Sequence, residues 1–477
     1  MVIIRRVIFA IFLVSYLIIC PLLVFYSLGY IINPLKKEVS HTGLVYLSTT
    51  PAGADIFLEN SRYDYRTPTS ITELLPASYN IRIRLKGYKV WSHHVSVEAG
   101  KALAFDNIIM IPRNWRAIKL SGESYKDIMP IPGTNYFILA KSSELGGYYI
   151  YDCLNNETRP LFVDEASLFD LNVSNAYTQA SRDMVVIAAG NIFDRRYFLA
   201  KIGAKYNTVF DITKLIQEKP SYVFYGNRQD HELFLGGAKR MDYLNIIEMS
   251  LYPEYFKDIK GFGAGEKWIY VLDKNNKVSR YSYNKNNKQT LLGDNNLGDE
   301  LFNRSSFYRI YIYNDDLMLF LGDKGDLLTN RPPYRISDKG VSGFEINRDA
   351  GSLVYWTKNS IGIVYFEEET GDSLFNETVV IRPLKADMRN LKKCFWVDNN
   401  HVLLHDQDKL YLAELQPDGK DHIDMIYSLA RDSGVFYSPK SGFCYFLDHK
   451  NRQLAGIRII QKDKTGFEPL AMGKNIR

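Results

Sequence analysis

The chain has 477 residues, a length that suggests about three domains, although all-β domains often exceed about 200 residues. Its 34 tyrosines and its aromatic content of 14 % favour β-structure, because aromatic side chains suit a pleated, half-buried surface. The net charge of +5 includes no basic tract of the kind that follows a phosphate backbone, which argues against nucleic acid as a partner.

An uncharged run extends from Val7 to Leu35, between the basic pairs Arg5–Arg6 and Lys36–Lys37. A bilayer core of about 30 Å requires roughly 20 apolar helical residues, so this run is long enough to cross a membrane. We predict one spanning helix, bent at Pro21, because proline removes a backbone hydrogen bond that neighbouring groups in a bilayer can replace. The lipid bilayer is therefore the first expected partner.

The flanking charges favour a single-pass protein of the plasma membrane, with a cytoplasmic amino terminus and an extracytoplasmic bulk. We assign residues 1–36 to a cytoplasmic stub and transmembrane helix. The reverse orientation is an alternative. A cleaved signal peptide is another, because Ser27-Leu28-Gly29 offers small residues to a peptidase. A lipoprotein modified at Cys20 would need a small residue just before the cysteine, where Ile18-Ile19 stand.

Alternating apolar and polar residues predict a compact β-sandwich over residues 42–112. A strand over Gly43–Ser48 and a strand over Ala54–Leu58 flank a turn at Thr50–Gly53, which predicts a hairpin with a locally set register. Further strands are predicted at Ile71–Leu75, Tyr79–Leu85, His94–Val97 and Phe105–Ile111.

This segment resembles the PEGA domain, named for a Pro-Glu-Gly-Ala turn that stands here as Pro51-Ala52-Gly53-Ala54. The Thr67-Pro68, Pro76-x-x-Tyr79 and Gly87-Tyr88 pairs follow in the family's order. Ala52 replaces the glutamate, and Ala77 stands where the family usually has glycine. The resemblance covers Gly43 to Pro112, and it implies an extracytoplasmic, envelope-associated module for binding or spacing, without catalysis.

Past Pro112 a unit of short apolar strands and polar turns recurs, most clearly over Val341–Ile381. The units begin near Tyr125, Asn175, Pro220, Ile259, Phe307, Val341, Leu391 and Ala430. Their mean spacing of about 44 residues is typical of propeller blades. Because only stacked neighbours bury the core of each unit, we predict a β-propeller of about seven or eight blades over residues 113–477. The segment Trp115–Leu120 could supply the outer strand of the last blade and close the ring.

The units resemble TolB-type and WD40-like propellers, as in Phe436–Gly442 followed by Phe443–Asp448. The unit at Phe307 is short, and most turns lack a clean Ser-Pro-Asp-Gly pattern. A β-sandwich array is therefore the structural alternative.

The sequence contains no phosphate-binding glycine loop, metalloprotease helix, redox cysteine pair or nucleophile elbow. His93 and His94 are adjacent on a strand and should point to opposite faces. His401, His405, Asp406 and Asp408 lie close together in the sequence. They could form a metal site, or they could belong only to a hairpin and the turn that follows it. We expect the three cysteines beyond the helix to be buried free thiols: Cys153, Cys394 and Cys444.

Acidic residues cluster in two predicted turns, at Asp294–Asn296 with Asp299 and at Asp323 with Asp326. These turns could be calcium-binding loops or ordinary Asx-rich turns between strands. The tyrosines of Tyr308–Tyr313 and Gly147–Tyr149 could bind sugar or peptide, or could pack between blades.

We therefore predict a mainly β, non-enzymatic, membrane-anchored scaffold of the cell envelope, whose propeller binds an envelope protein or a glycan. No catalytic, cofactor or metal residues are assigned. A propeller hydrolase or lyase is the alternative, and it would need convergent carboxylates or histidines at the channel mouth. A purely mechanical spacer is a third possibility.

Overall fold

The computed structural model describes residues 2–27, 29–33, 38–131, 134–141, 147–161, 173–178, 184–190, 195–203, 207–216, 218, 220, 222–225, 232–237, 239–265, 267–292, 297–313, 317–332, 334–338, 340–365, 380–383, 388, 390–415 and 422–460. The fold is mainly β. The chain divides into two compact bodies: Met1–Arg116 with Arg458–Arg477, and Ala117–Ile457.

Helix α1 (Val2–Ser27) contains most of the uncharged run, with Pro21 inside it. Its segment Ile4–Tyr26 is the one helix of the described residues that is long and apolar enough to cross a bilayer. The helix ends where Gly29 takes a φ of +83°, a conformation that suits glycine after a helix. The helix ends before the predicted boundary at residue 36, because β1 (Tyr30–Asn33) pairs with β2 (Glu38–His41).

The predicted sandwich is confirmed, with two sheets that share one core. The first sheet has the order β6-β3-β9 and the second the order β5-β4-β7-β8. The strands are β3 (Gly43–Thr50), β4 (Asp55–Leu58), β5 (Ser61–Arg66), β6 (Thr69–Leu74), β7 (Ala77–Arg84), β8 (Trp91–Val97) and β9 (Ala102–Ile109). Val45, Ile56 and Ile81 are fully buried between the sheets. Each such side chain contributes roughly 1.5–3 kcal/mol.

The predicted hairpin at Thr50–Gly53 is wrong, since β3 and β4 belong to different sheets. Alternating burial fits a hairpin and also fits one strand in each of two sheets, because each sheet buries one face. Thr67 holds the crossing turn: its carbonyl accepts from the Gly53 amide at 2.8 Å, and its hydroxyl accepts from the Ala54 amide at 3.0 Å.

From Ile118 onward the described strands form successive four-stranded antiparallel repeats, numbered here in chain order. Repeat 1 contains the second part of β10 (Ile118–Pro130), β11 (Tyr136–Lys141), β12 (Tyr148–Asp152) and β13 (Glu157–Pro160). Repeat 2 contains β14 (Val173–Thr178), β15 (Met184–Gly190), β16 (Arg195–Ile202) and β17 (Asn207–Asp211), and a 3-10 turn at Thr213–Leu215 follows. Repeat 3 contains β18 (Tyr222–Tyr225), β19 (Glu232–Gly236), β20 (Arg240–Asn245) and β21 (Ser250–Lys257).

Repeat 4 contains β22 (Ile259–Ala264), β23 (Trp268–Asp273), β24 (Val278–Ser282) and β25 (Lys288–Leu292), and helix α2 (Leu297–Leu301) follows. Repeat 5 contains β26 (Tyr308–Ile312), β27 (Met318–Gly322), β28 (Leu327–Thr329) and β29 (Arg335–Ser337). Repeat 6 contains β30 (Gly343–Asn347), β31 (Ser352–Trp356), β32 (Ser360–Tyr365) and β33 (Val380–Pro383). Repeat 7 contains β34 (Leu391–Trp396), β35 (His401–Asp406), β36 (Lys409–Glu414) and β37 (His422–Ser428). Repeat 8 contains β38 (Phe436–Ser438), β39 (Phe443–Leu447), β40 (Gln453–Arg458) and the first part of β10.

Strand β10 closes the ring, as predicted for the segment Trp115–Leu120. Its first part pairs with β40, with Ile118 opposite Gly456, and its second part pairs with β11. Buried cores join neighbouring repeats: Phe137 and Leu447 lie in the core between repeats 8 and 1. The body is therefore a β-propeller, and the sandwich-array alternative is wrong.

Candidate functional site on the inner strands

The first strand of each repeat lies towards the middle of the propeller. Strands β22 and β26 pair in parallel, with Gly261 opposite Tyr308. Four other neighbouring pairs of first strands lie in contact: β14 with β18, β18 with β22, β30 with β34 and β10 with β38. Propellers bind ligands at the ends and loops of such inner strands. Polar side chains on the inner strands are therefore the first candidates for a binding site.

Glu345 on β30 and Lys393 on β34 form one such candidate. A Glu345 carboxylate oxygen accepts from the Trp396 amide at 3.3 Å, and the Glu345 carbonyl accepts from the Trp396 indole at 3.0 Å. Burial raises the pKa of Glu345 to about 7, against the opposing effects of the Lys393 charge and the Trp396 amide. Burial also lowers the pKa of Lys393, and the Glu345 charge partly offsets that change.

Repeats 7 and 8 each contain a further buried polar group. Tyr437 on β38 is 4 % exposed, and its hydroxyl has no hydrogen-bond partner within the described part of the chain. Burial raises the pKa of Tyr437, and the charges of Cys444, Asp398 and Glu345 act in the same direction. His405 on β35 is also buried, and desolvation, followed by the Lys392 charge, lowers its pKa to about 4.

Three other charged groups of the inner strands connect neighbouring repeats. Asp127 on β10 accepts from the Gly434 amide at 2.8 Å, just before β38. Lys392 on β34 pairs with Asp432 at 3.1 Å. Lys260 on β22 donates to the Phe302 carbonyl at 3.2 Å. These contacts hold the ring together.

Carboxylates are sparse on the described inner strands, which carry Asp127 in repeat 1 and Glu345 in repeat 6. The two lie on strands separated by repeats 7 and 8. Each of these carboxylates accepts a hydrogen bond from a backbone amide, Asp127 from Gly434 and Glu345 from Trp396.

The predicted histidine positions have distinct surroundings. His93 is 8 % exposed and packs against Trp91 at 5.1 Å between ring centroids, whereas His94 is exposed, which confirms the opposite faces. His401 is buried with its Nδ1 2.9 Å from a carboxylate oxygen of Asp398. Among the described residues, no three potential ligands gather as a metal site would require, Asp406 and Asp408 included.

The acidic turns make structural contacts. Asp294–Asn296 lie outside the described residues, and Asp299 accepts from the Asn276 side-chain amide at 2.6 Å. Asp326 accepts from the Ser305 hydroxyl, and Asp323 accepts from the Ser306 amide at 3.0 Å. These Asx contacts support the turn interpretation.

The tyrosine segments pack within and between repeats. Tyr308 is fully buried and its hydroxyl accepts from the Ser305 amide at 3.1 Å. Tyr311 packs edge-to-face on Phe344 of the next repeat, at 4.8 Å between centroids. Tyr148 is buried and Tyr149 is half-buried. The packing interpretation therefore accounts for these side chains.

Sequence reasoning missed Glu345, Lys393 and Tyr437 as a set. A signal was present, because a charged residue in the apolar Gly-Phe-Glu-Ile-Asn strand and a lysine pair in Leu-Lys-Lys-Cys-Phe-Trp interrupt the first strands of two repeats. Their proximity depends on the side-by-side packing of repeats 6, 7 and 8, which the linear pattern does not give.

The PEGA domain family matches residues 42–111, which confirms the resemblance of the small β-domain. No curated relative matches the chain. Three similar solved structures show low identity. PorZ, an essential bacterial surface component of the type-IX secretion system of Porphyromonas gingivalis, is 12 % identical over 70 % of this chain and 42 % of PorZ, with a TM-score of 0.38. The Cps50 (Swd1) β-propeller domain of Myceliophteria thermophila is 11 % identical over 73 % and 99 % of the two chains, with a TM-score of 0.42. YCF48 from Cyanidioschyzon merolae is 11 % identical over 72 % and 98 %, with a TM-score of 0.38.

Proposed function

We propose that this protein is a membrane-anchored, extracytoplasmic scaffold of the cell envelope, whose propeller presents a binding face to a protein or glycan. The observation that carries the proposal is the combination in one chain: an apolar helix, a PEGA domain directly after it, and a closed β-propeller. A helix of this length and composition can anchor a chain in a bilayer, and a propeller offers many loops around one axis.

The inner strands support a binding role. Charged groups such as Asp127 and Lys392 connect one repeat to the next, and these contacts tie the inner strands to one another. A preorganised surface loses less conformational entropy when a partner binds. The hydrolase or lyase alternative would need carboxylates or histidines that converge on one substrate, and on the described inner strands Asp127 and Glu345 belong to different repeats.

Capture from intact cells tests the proposal. The full chain, tagged at its carboxy terminus and cross-linked before solubilisation, should enrich a specific envelope protein or glycan. A chain that ends at Arg116 keeps the helix and the PEGA domain and serves as the control. The partner should be lost from this control, because we assign binding to the propeller. Equal enrichment by both chains, or none by the full chain, would contradict the proposal.

A further inference from the structure

One face of the PEGA sandwich carries four arginines. In the second sheet Arg66, Asp55 and Arg84 lie directly opposite one another on β5, β4 and β7. Arg62, Phe57 and Arg82 form the next row. Residues that are opposite in adjacent strands point to the same side of a sheet. The alternate residues of these strands, among them Ile56 and Ile83, are fully buried. The arginines therefore occupy the outer side, which we call the arginine face.

The arginine face is held in place by its own contacts. Asp55 pairs with the Arg62 guanidinium at 2.7 Å and with the Arg66 guanidinium at 2.9 Å. The Arg84 guanidinium lies 4.7 Å from the centre of the Phe57 ring. Arg82 donates to the Glu59 carbonyl at 2.6 Å. These contacts order the guanidinium groups before any ligand arrives.

The positive charge of the face is only partly neutralised. Asp55 serves both Arg62 and Arg66. Neither Arg82 nor Arg84 has a carboxylate within ion-pair distance among the described residues, and Arg82 Nε is buried without a hydrogen-bond partner there. The nearby carboxylates Glu59 and Asp64 lie on β5 or on the turn before it. The centre of the positive charge is therefore on β7.

The face belongs to the domain that contacts the end of the apolar helix. The Tyr26 hydroxyl, at the end of α1, donates to the Glu73 carboxylate on β6 at 2.5 Å. On the same strand the Ser70 carbonyl accepts from the Tyr63 hydroxyl of β5 at 3.3 Å. Three residues of a strand span about 10 Å, so the β5 edge of the face lies close to the end of the helix.

We propose that the arginine face docks on the anionic phospholipid headgroups of the membrane that holds the helix. This inference rests on the proposed anchoring. Guanidinium groups bind phosphate through paired hydrogen bonds, and basic residues close to a bilayer are attracted to its anionic lipids. A lipid partner is favoured over a soluble polyanion because the helix end fixes this domain beside the headgroups. Docking would fix the orientation of the PEGA domain on the bilayer.

The test uses the full chain in lipid nanodiscs. A fluorophore is attached to an introduced cysteine, Ser96→Cys. It reports on the arginine face, because Ser96 is exposed on β8 and lies on the same side of the sheet as Arg82. The background carries Cys20→Ala, so that the helix is not labelled. Headgroup spin labels should quench the fluorophore more strongly in discs with about 30 mol % phosphatidylglycerol than in phosphatidylcholine discs. About 0.5 M salt should reverse the difference.

The variant Arg82→Gln/Arg84→Gln should reduce the docked-to-undocked ratio by about fivefold per arginine. Lysine at both positions should retain most of the docking, a rescue that a merely structural role of Arg82 would not show. The control Lys274→Gln/Lys450→Gln removes the same charge from exposed propeller sites and should change nothing. Equal quenching in both lipids, or equal loss in the control, would overturn the proposal.

Two further outcomes are distinguishable. In the first, lipid composition has no effect, but polyphosphate shifts the fluorophore emission, and the shift is lost in Arg82→Gln/Arg84→Gln. The arginine face would then bind a soluble polyanion, and the lipid assignment would be wrong. Co-elution of the chain with the discs is measured separately. Failure to co-elute would refute the anchoring on which the proposed function depends, whereas co-elution without lipid-dependent quenching would refute only the docking.

Discussion

Replacing Glu345 by glutamine should make the stability of the propeller rise with pH between about 4 and 7. Burial raises the pKa of Glu345 from 4.5 to about 7, so its stabilising neutral form is present below pH 4.5 and is lost as the pH rises through 7. The shift corresponds to about 3 kcal/mol. Glu345→Gln stays neutral at every pH and keeps an oxygen for the Trp396 amide, so it should remove this loss.

His405 opposes Glu345 in nearly the same pH range. Burial lowers the pKa of His405 from 6.5 to about 4, so its contribution is present above pH 6.5 and is lost as the pH falls through 4. The magnitude is again about 3 kcal/mol. In the wild type the two contributions should nearly cancel between pH 4 and 7.

The single variants should therefore show opposite slopes relative to the wild type. Glu345→Gln should become more stable as the pH rises from 4 to 7, His405→Leu should become less stable, and the double variant should follow the wild type. Thermal unfolding in detergent, followed by near-ultraviolet circular dichroism, measures this as Tm shifts of several degrees. Glu254→Gln is the matched control, because Glu254 is exposed and paired with Lys257. Parallel Tm curves for both single variants and the wild type would contradict the opposing titrations of Glu345 and His405.

Three other substitutions or reagents test separate contacts. Gly434→Ala should lower Tm clearly, because a Cβ there would lie 2.0 Å from the Ile128 carbonyl oxygen at the closure of the ring. The control Gly122→Ala should not lower it, because a Cβ there has no atom within 4 Å. Similar Tm values for the two variants would contradict the closure geometry. Tyr437→Phe should leave Tm unchanged or raise it, because the buried hydroxyl has no partner among the described residues, and a clear fall would reveal one. Burial also raises the pKa of the thiols of Cys153, Cys394 and Cys444. These thiols should resist a polar maleimide until the chain unfolds. Rapid labelling of the native protein would contradict their burial.

Much of the propeller was predictable because each repeat is a local pattern of short apolar strands and polar turns. The repeat starts predicted near Ile259 and Leu391 coincide with the first residues of β22 and β34. The closing role of Trp115–Leu120 also followed, since an unpaired edge at each chain end favours pairing of the two.

The remaining features depend on contacts between distant residues. The contact between Asp127 and Gly434 joins positions 307 residues apart, and that between Glu345 and Trp396 joins positions 51 apart. The crossing turn after β3 has the same local sequence pattern as a hairpin. Whether β3 and β4 pair with each other depends on the other strands, and here β3 pairs with β6 and β9 while β4 pairs with β5 and β7. Strand β5 was missed because five of its six residues are exposed, which leaves no apolar alternation to recognise.

Protease accessibility in intact cells tests whether the propeller lies outside the plasma membrane. With a tag at the carboxy terminus, we expect that protease added outside the plasma membrane, after removal of any outer barrier, removes the tag while the membrane stays closed. A cytoplasmic marker protein should remain intact in the same sample. A tag that is protected until the membrane is breached would contradict the extracytoplasmic orientation and, with it, the proposed scaffold of the envelope.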